Sequence, residues 1–280
     1  MSYNKLILNN VEKSFGKKQI LKGINATLDS GIYGLLGSNG AGKTTLIRCI
    51  TNYYKYSGTI TVNGKSVRKQ SVKEIGYLPQ KFCGYPELTV EQMLDFFCNI
   101  KKIPKKKRQQ QIDNTLQAAN LEEKRNNRIK TLSGGMMRRL GIAQAILGEP
   151  GVILLDEPTS GLDPEERNRF KQVIDNISGD RIVILSTHIV EDIEACCDKT
   201  IVLDQGEIIY HGSTTGLRQY AEGRILELND AELASYDNIE IEKTYLRDEE
   251  KVYRVIAGKQ LENTVAPTIE DGYLCLLKKK

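Results

Sequence analysis

The first third of the chain alternates short apolar runs with turn-forming residues, a pattern that predicts strands. The runs are Lys5–Leu8, Ala26–Leu28 and Gly31–Leu36. The third run leads into a glycine-rich turn, after which we expect a helix to begin near Lys43. Residues 57–64 predict an edge strand that enters an Asn-Gly turn.

From Thr89 onward the apolar period becomes helical. Thr89 and Gln92 have the spacing of a capping box, which marks the start of a helix. The apolar side chains that follow recur at helical spacing, at Val90, Met93, Leu94, Phe97 and Ile100. The pattern therefore predicts a mostly helical subdomain over about residues 85–150.

A basic run interrupts this helical region between Lys101 and Arg108, with Pro104 inside it. Two interpretations stay open at this stage. The run is either a solvated junction between two helices or a contact with anionic lipid or a partner protein.

Two apolar segments in the middle of the chain, Gly151–Leu155 and Ile182–Leu185, predict buried parallel strands because polar residues follow each of them. The core is therefore expected to be α/β. Beyond about residue 218, charged turns separate short strand-like runs, which predict a small α+β domain over 218–280 after a main domain over 1–217. These runs are Ile225–Leu228, Ile239–Ile241, Val252–Ile256 and Tyr273–Leu277.

Composition narrows the class of protein. A chain of 280 residues, 40% of them hydrophobic, is long enough for one large domain and an appendage. The balance of 40 Lys and Arg against 36 Asp and Glu leaves a net charge of +4, too weak to indicate nucleic acid as the main partner.

No apolar stretch approaches the roughly 20 residues of a membrane helix, and Met1–Lys5 does not begin a signal peptide. Six cysteines without a Cys-x-x-Cys pair indicate reduced thiols of a cytoplasmic protein.

The glycine-rich turn carries the first candidate chemistry. It fits the P-loop pattern completely and lies between an apolar strand and a helix, as phosphate binding requires. The backbone N–H groups of such a loop surround phosphate oxygens, Lys43 reaches the β and γ phosphates, and the Thr44 hydroxyl is a ligand for Mg²⁺. The expected nucleotide contacts are Gly37, Ser38, Asn39, Gly40, Ala41, Gly42, Lys43, Thr44 and Thr45.

Two carboxylates follow the strand at 152–155. Asp156 is placed to hold the metal beside Thr44, and Glu157 is placed to polarise an attacking water. An Asp-Glu pair after a strand is a weak signal alone. The P-loop in the same chain is what makes it a candidate catalytic pair.

The segment Leu132-Ser133-Gly134-Gly135-Met136 resembles the signature loop of the ABC ATPase superfamily. Further motifs in the same order cover roughly residues 5–215. Phe15 matches the aromatic residue that stacks on adenine, Gln80 the glutamine loop that reaches Mg²⁺ or the water, Asp163 the end of the D-loop, and His188 the switch histidine that contacts the γ-phosphate. The resemblance implies a mixed sheet with helices, an antiparallel β subdomain and a helical subdomain, and it implies ATP and Mg²⁺ as cofactors.

The resemblance also implies how the ATPase works. Ser133, Gly134 and Gly135 would close on ATP held by a second ATPase subunit, in a homodimer or heterodimer with two shared sites. Met136 departs from the glutamine that many members carry, but its side chain lies beyond the glycines, so we expect little loss of activity.

A transporter subunit fits this pattern better than a soluble ABC ATPase that acts on DNA or ribosomes. The chain has no long coiled coil between its P-loop and signature, no zinc-binding cysteine pairs and no second cassette. A nucleotide-sensing regulator stays an alternative. A transporter subunit would lie on the inner face of the cell membrane and dock through residues 85–150 on a separate transmembrane permease.

Three segments resemble export-type ABC ATPases of the drug, antimicrobial-peptide and natural-product group: Ser133–Ala143, Gln205–Gly212 and Pro267–Leu274. They indicate export. The third segment has a second interpretation, as a packing element of the small domain. The cargo is chosen by the membrane subunits in this family, so the sequence does not identify it.

Overall fold

The computed structural model describes residues 4–68, 74–236 and 238–278. They divide into one unit up to His211 and a second unit from Gly212 onward. The start of the chain, Met1–Tyr3, where the sequence predicts no signal peptide, lies outside the described residues.

Strands and helices alternate along the first part of the chain as the apolar pattern predicts. The strands are β1 (Lys5–Phe15), β2 (Lys18–Asp29), β3 (Gly31–Leu36), β4 (Ser57–Val62), β5 (Lys65–Ser66), β6 (Ile75–Leu78), β7 (Val152–Asp156), β8 (Ile182–Thr187), β9 (Lys199–Asp204) and β10 (Glu207–Ser213). The helices are α1 (Lys43–Ile50), α2 (Val90–Ile100), α3 (Lys105–Ala118), α4 (Gly134–Ile146), α5 (Pro164–Ser178) and α6 (Val190–Cys196). Among the described residues, no helix is both long and apolar enough to cross a membrane.

The N-terminal strands form an antiparallel sheet in the order β2-β1-β4-β5. β1 and β2 extend well beyond the predicted apolar runs because they pair as one long hairpin, from Lys5 opposite Asp29 to Phe15 opposite Lys18. The strand predicted at 57–64 is confirmed as β4. It is not an edge strand, however, because the two-residue β5 pairs with it.

The second sheet has the order β10-β9-β3-β8-β7-β6 and positions the site. β3 is parallel to β8 and β9, and β7 is parallel to β6 and β8. Every residue of β7 and β8 is buried, as their continuous apolar runs predict. Asp156 lies opposite Ser186 and Leu36 opposite Thr187, so three strands end at one edge.

Helices α2, α3 and α4 share a separate apolar core, built from residues such as Leu94, Leu116 and Leu140. The predicted capping box at α2 is confirmed, since the Thr89 side chain accepts from the Gln92 N–H and Gln92 accepts from the Thr89 N–H.

The basic run divides between two environments. Lys102 and Lys105–Lys107 are exposed, which fits a solvated helix junction. Lys101 fits neither interpretation, because its ammonium donates to the carbonyl oxygens of Gln144, Ala145 and Leu147 at 2.7, 3.0 and 2.7 Å. It therefore closes the C-terminal end of α4, where a cation is favoured. Burial lowers the pKa of this ammonium to about 8.

The second unit contains a three-stranded antiparallel sheet. Its strands are β11 (Ile225–Leu228), β12 (Ile239–Arg247) and β13 (Glu250–Ala257), in the order β11-β13-β12. The three strands confirm the first three runs predicted in this region. The remaining elements are α7 (Asp230–Leu233), α8 (Ile269–Lys278) and a 3₁₀ helix at Thr215–Ala221.

The strand predicted at Tyr273–Leu277 is wrong, because these residues belong to α8. Thr268 caps the helix by accepting from the Asp271 N–H at 3.1 Å, while Asp271 accepts from the Thr268 N–H at 2.6 Å. Buried Ile269, Tyr273 and Leu276 then recur at helical spacing. The segment Pro267–Leu274 thus forms the start of a packed helix, in line with its interpretation as a packing element.

Candidate nucleotide-binding site

The loop between β3 and α1 forms a concave backbone at a helix start. Gly37 must be a glycine because a Cβ there would lie 2.2 Å from the Leu203 carbonyl oxygen. Gly42, with φ of 112°, turns the chain into α1. Among the described residues no side chain caps α1, so its first N–H groups are available to an anion.

Lys43 places a buried ammonium at this loop, with 6% of the residue exposed. Its Nζ donates to the carbonyl oxygens of Gly37 at 2.6 Å and Ser38 at 3.2 Å. Burial lowers the pKa of the ammonium, and the Glu157 carboxylate, whose Oε1 is 3.7 Å away, opposes that shift. The loop carbonyls and the carboxylate thus hold one cation at the mouth of the backbone concavity.

Asp156 and Thr44 meet directly beneath the loop. The Oδ1 atom of Asp156, a fully buried residue, accepts from Thr44 Oγ1 at 3.0 Å and from Ser186 Oγ at 2.8 Å. Its Oδ2 atom has no hydrogen-bond partner among the described residues. A buried carboxylate oxygen without a partner is unfavourable in itself, and a hard divalent cation is the kind of ligand that satisfies it.

Among the described residues, no group of three or more His, Cys, Asp and Glu side chains is arranged to hold a metal. Asp156 and Thr44 could supply two oxygens to a cation here, and phosphate and water could supply others. Mg²⁺ is bound in this way in nucleotide sites, so the residues present fit it.

Glu157 and His188 form a pair at the edge of the sheet. His188 Nδ1 lies 3.0 and 3.2 Å from the two carboxylate oxygens of Glu157. Glu157 has φ of 49°, a left-handed conformation that is sparsely populated by residues other than glycine. Its N–H donates to Ser186 O and Ser186 Oγ, each at 3.1 Å, which holds the backbone in this conformation.

A cleft of about 310 Å³ is lined by half of the predicted site residues. This volume is at the lower end of the range of small-molecule sites. The cleft is lined by Phe15, Lys18, Ile20, Asn39, Gly40, Gly42, Lys43, Thr44, Thr45, Gln80 and Glu157. Phe15 is 45% exposed and meets Tyr54 edge to face with ring centroids 5.1 Å apart. An accessible aromatic ring packed against Tyr54 therefore lines the cleft, together with Gln80 and Glu157.

Ser133–Gly135 and Asp163 are not among the residues that line this cleft, and both segments begin helices. Ser133 Oγ accepts from the Met136 N–H at 3.2 Å at the start of α4, and Asp163 Oδ1 accepts from the Glu166 N–H at 2.8 Å at the start of α5. A Cβ on Gly135 would lie 2.1 Å from Glu166 Oε2, so the two helix starts are in close contact.

Three polar residues of the site escaped prediction. Ser186 joins Asp156 to Glu157, and its place as a hydroxyl directly after the apolar run Ile182–Leu185 could have identified it. Asp192, 4% exposed, accepts from Thr159 Oγ1 at 2.5 Å and Thr187 Oγ1 at 3.3 Å. Arg138 donates to the Gln80 carbonyl oxygen at 2.7 Å. The contacts of Asp192 with Thr159 and of Arg138 with Gln80 join segments 33 and 58 residues apart and leave no local signal in the sequence.

The arrangement as a whole has the parts that phosphoryl transfer to water requires. The backbone concavity and Lys43 can bind phosphate, and a carboxylate within hydrogen-bond distance of a histidine can orient water. These features define a nucleoside triphosphatase of the P-loop class.

Comparison with known proteins places the chain within that class. A family model described as ABC transporter matches residues 21–160. The linearmycin resistance ATP-binding protein LnrL of Bacillus subtilis is 37% identical over 74% of this chain and 69% of its own length. A Nod factor export ATP-binding protein I from a Rhizobium species is 34% identical over 99% of this chain and 98% of its own. The structure of cbiO1 from Clostridium perfringens, part of the ABC transporter complex cbiONQ, matches with a TM-score of 0.66 and 26% identity over 74% of this chain and 88% of its own.

This chain belongs to the ABC transporter family, as an ATP-binding subunit with ATPase activity. The resemblance noted from the signature segment is thereby confirmed, as is the α/β fold class.

Proposed function

We propose that this chain hydrolyses Mg²⁺-ATP to drive export through a separate transmembrane permease, on the inner face of the membrane. The observation that carries the proposal is the position of Glu157. Its carboxylate lies at the cleft between Lys43, at 3.7 Å, and His188, at 3.0 Å. A water activated there would face a γ-phosphate held by the loop.

The proposed roles follow the geometry of the cleft. Residues Gly37–Thr45 bind the phosphates, with Lys43 on the β and γ phosphates, and Phe15 stacks on adenine. Thr44, Asp156 and Gln80 would hold Mg²⁺, which neutralises phosphate charge when bound. Glu157 polarises water, and His188 contacts the γ-phosphate while orienting that carboxylate. Most of the rate enhancement then comes from positioning and charge neutralisation.

A second ATPase subunit completes each site in this proposal. Ser133, Gly134 and Asp163 are exposed at helix starts outside the cleft of their own chain, where a nucleotide on another subunit could reach them. Gly135 is buried and follows Gly134 in the same turn. Helix N-termini attract anions, which suits contact with a γ-phosphate.

Docking on the permease is assigned to the helical region 85–150. An open groove of about 790 Å³ runs along α2 and α3, lined by Glu91, Asp95, Phe96, Asn99, Lys105 and Arg108 among others. Exposed Phe96 and Tyr85 meet edge to face beside it, with centroids 5.4 Å apart. Apolar surface rimmed by charge is typical of a protein interface.

The export direction rests on the names of the relatives, a resistance protein and an export protein.

The test is ATP turnover by the parent and by Glu157→Gln, with size-exclusion chromatography of the variant in Mg²⁺-ATP and in Mg²⁺-ADP. We expect the variant to lose turnover by about 10²- to 10⁴-fold, to keep its ATP affinity and to dimerise in ATP alone. The matched control is Glu165→Gln, whose side chain is 76% exposed on α5, and it should behave as the parent.

Equal turnover of the parent and Glu157→Gln would refute the role of Glu157. A variant that stays monomeric in ATP would count against the shared-site dimer.

Lys43→Ala should weaken nucleotide binding itself, and an unchanged ATP affinity would refute the proposed phosphate contact. The docking surface is tested by co-purification with the permease after Lys105→Glu and Arg108→Glu, and undiminished recovery would rule it out.

A further inference from the structure

Helix α4 lies directly against β6 and the segment that follows it. A Cβ on Gly141 would lie 2.4 Å from the Leu78 side chain and 3.1 Å from Phe82, so a larger residue there would require these side chains to move. Gln144 Nε2 donates to the Tyr77 carbonyl oxygen at 2.6 Å. The residues Tyr77–Phe82 and the middle of α4 therefore pack as one body.

Arg138 extends this contact to the residue that faces the nucleotide cleft. Its guanidinium donates to the main-chain oxygen of Gln80 at 2.7 Å. Gln80 itself is exposed and lines the cleft. Because Gln80 lies in a stretch without helix or strand, this bond fixes a backbone that lacks ladder hydrogen bonds of its own.

The guanidinium of Arg138 is also close enough to Asp156 and Glu157 to feel their charges. Burial lowers the pKa of this guanidinium, and the carboxylates of Asp156 and Glu157 oppose that shift. The guanidinium is thus a half-buried cation beside the catalytic edge of the sheet, with a single hydrogen bond to Gln80 given by the described residues.

The start of the same helix carries Ser133–Gly135, the segment proposed to touch the nucleotide of a second subunit. Arg138 lies about one and a half turns further along α4. A displacement of the helix start is therefore transmitted to the Gln80 backbone through one short rigid element.

We propose that Arg138 is a positioning residue that ties Gln80 to the signature helix, so that closure of Ser133–Gly135 on a partner's nucleotide sets the place of Gln80 in this chain's own site. The inference rests on the proposed roles of Gln80 and of the signature segment. It goes beyond them by naming the contact that couples the two sites.

The experiment is a double-mutant cycle of Arg138→Met and Gln80→Ala in the full chain, read by ATP turnover across ATP and Mg²⁺ concentrations. We expect Arg138→Met to lower kcat about tenfold, the loss of one charge-assisted hydrogen bond, and to leave KM for ATP nearly unchanged. The Mg²⁺ concentration for half-maximal rate should rise. In the Gln80→Ala background the same change should have no further effect.

Two further variants separate positioning from general stability. Arg138→Lys keeps a cationic donor and should recover most of the lost turnover. Arg128→Met removes an arginine that is 59% exposed and pairs with Glu87, and it should match the parent. If Arg138→Met does not fold, Arg138→Ala, which also lacks a donor, carries the same cycle.

Each outcome decides the matter. Parental kinetics for Arg138→Met, or losses that multiply with Gln80→Ala, would overturn the inference while leaving the role of Gln80 intact. Parental turnover and Mg²⁺ dependence for Gln80→Ala alone would remove the proposed role of Gln80 and this inference with it. Failure of Arg138→Lys to restore turnover, together with a lowered melting temperature, would mean that Arg138 only stabilises the fold.

Discussion

Replacing Ser186 by alanine removes the hydroxyl that joins the two carboxylate residues of the site. Ser186 is fully buried, donates to Asp156 Oδ1 at 2.8 Å and accepts from the Glu157 N–H at 3.1 Å. The Glu157 N–H keeps its second acceptor, the main-chain oxygen of Ser186. The substitution therefore removes essentially one interaction, the bond to the Asp156 carboxylate.

The expected loss of stability follows from the energy of this one hydrogen bond. A hydrogen bond to a buried charged group contributes about 1.5–3 kcal/mol, and the cavity left by one oxygen atom is small. Thr44 still donates to Asp156, so we expect a loss of about 2 kcal/mol in the free energy of unfolding of this unit. A cation bound at Asp156 would offset part of the lost interaction, so the loss should be smaller in Mg²⁺ with a non-hydrolysable ATP analogue than in EDTA.

Hydrogen exchange of the β7 and β8 amides measures this free energy without interference from the second unit. The matched control is Ser178→Ala at the exposed end of α5, whose hydroxyl bonds only the Asp175 carbonyl at 2.9 Å among the bonds described. We expect that variant to stay within about 0.5 kcal/mol of the parent. If Ser186→Ala matches the control, the bond to Asp156 does not stabilise the fold. If its loss is the same in both media, Asp156 does not hold the cation.

Three further predictions concern the cleft and the two units. Phe15→Ala should raise KM for ATP about tenfold or more through lost stacking and leave kcat near the parent value, while exposed Tyr85→Ala should change neither. Burial raises the pKa of the Glu242 carboxyl to about 7, from 4.5, so stability should fall as pH rises through that interval. Melting curves should show Glu242→Gln stabilised by about 1 kcal/mol at pH 8 and unchanged near pH 4. Lys101→Met should destabilise α4 by about 2–3 kcal/mol in amide exchange, unlike exposed Lys102→Met.

The parts of this molecule that could be predicted from sequence are those in which neighbouring residues carry the information. The loop before Lys43 is contiguous, and the strands before Asp156 and His188 are unbroken apolar runs, so the edge where they meet follows from parallel pairing. The capping box at Thr89 is equally local. The sequence alone therefore places the P-loop and the two carboxylates at one edge of the sheet.

The features that escaped prediction depend on contacts between distant segments. Lys101 belongs to a basic run, and only the packing of α4 against it shows that it closes a helix. The Tyr273–Leu277 run is too short to separate strand from helix by periodicity, and the Thr268–Asp271 cap decides the matter. The catalytic and binding roles assigned to individual residues stay predictions that the experiments above address.

Asp192 joins the two chain segments next to Glu157 and His188. Its buried carboxylate holds Thr159, on the segment that leaves Glu157, and Thr187, on the segment that enters His188. Detachment of either segment would remove one of the two hydroxyl donors of this carboxylate oxygen, while Arg167 lies 3.8 Å from the other oxygen. We therefore expect the two segments that flank the Glu157–His188 pair to open together as one cooperative unit.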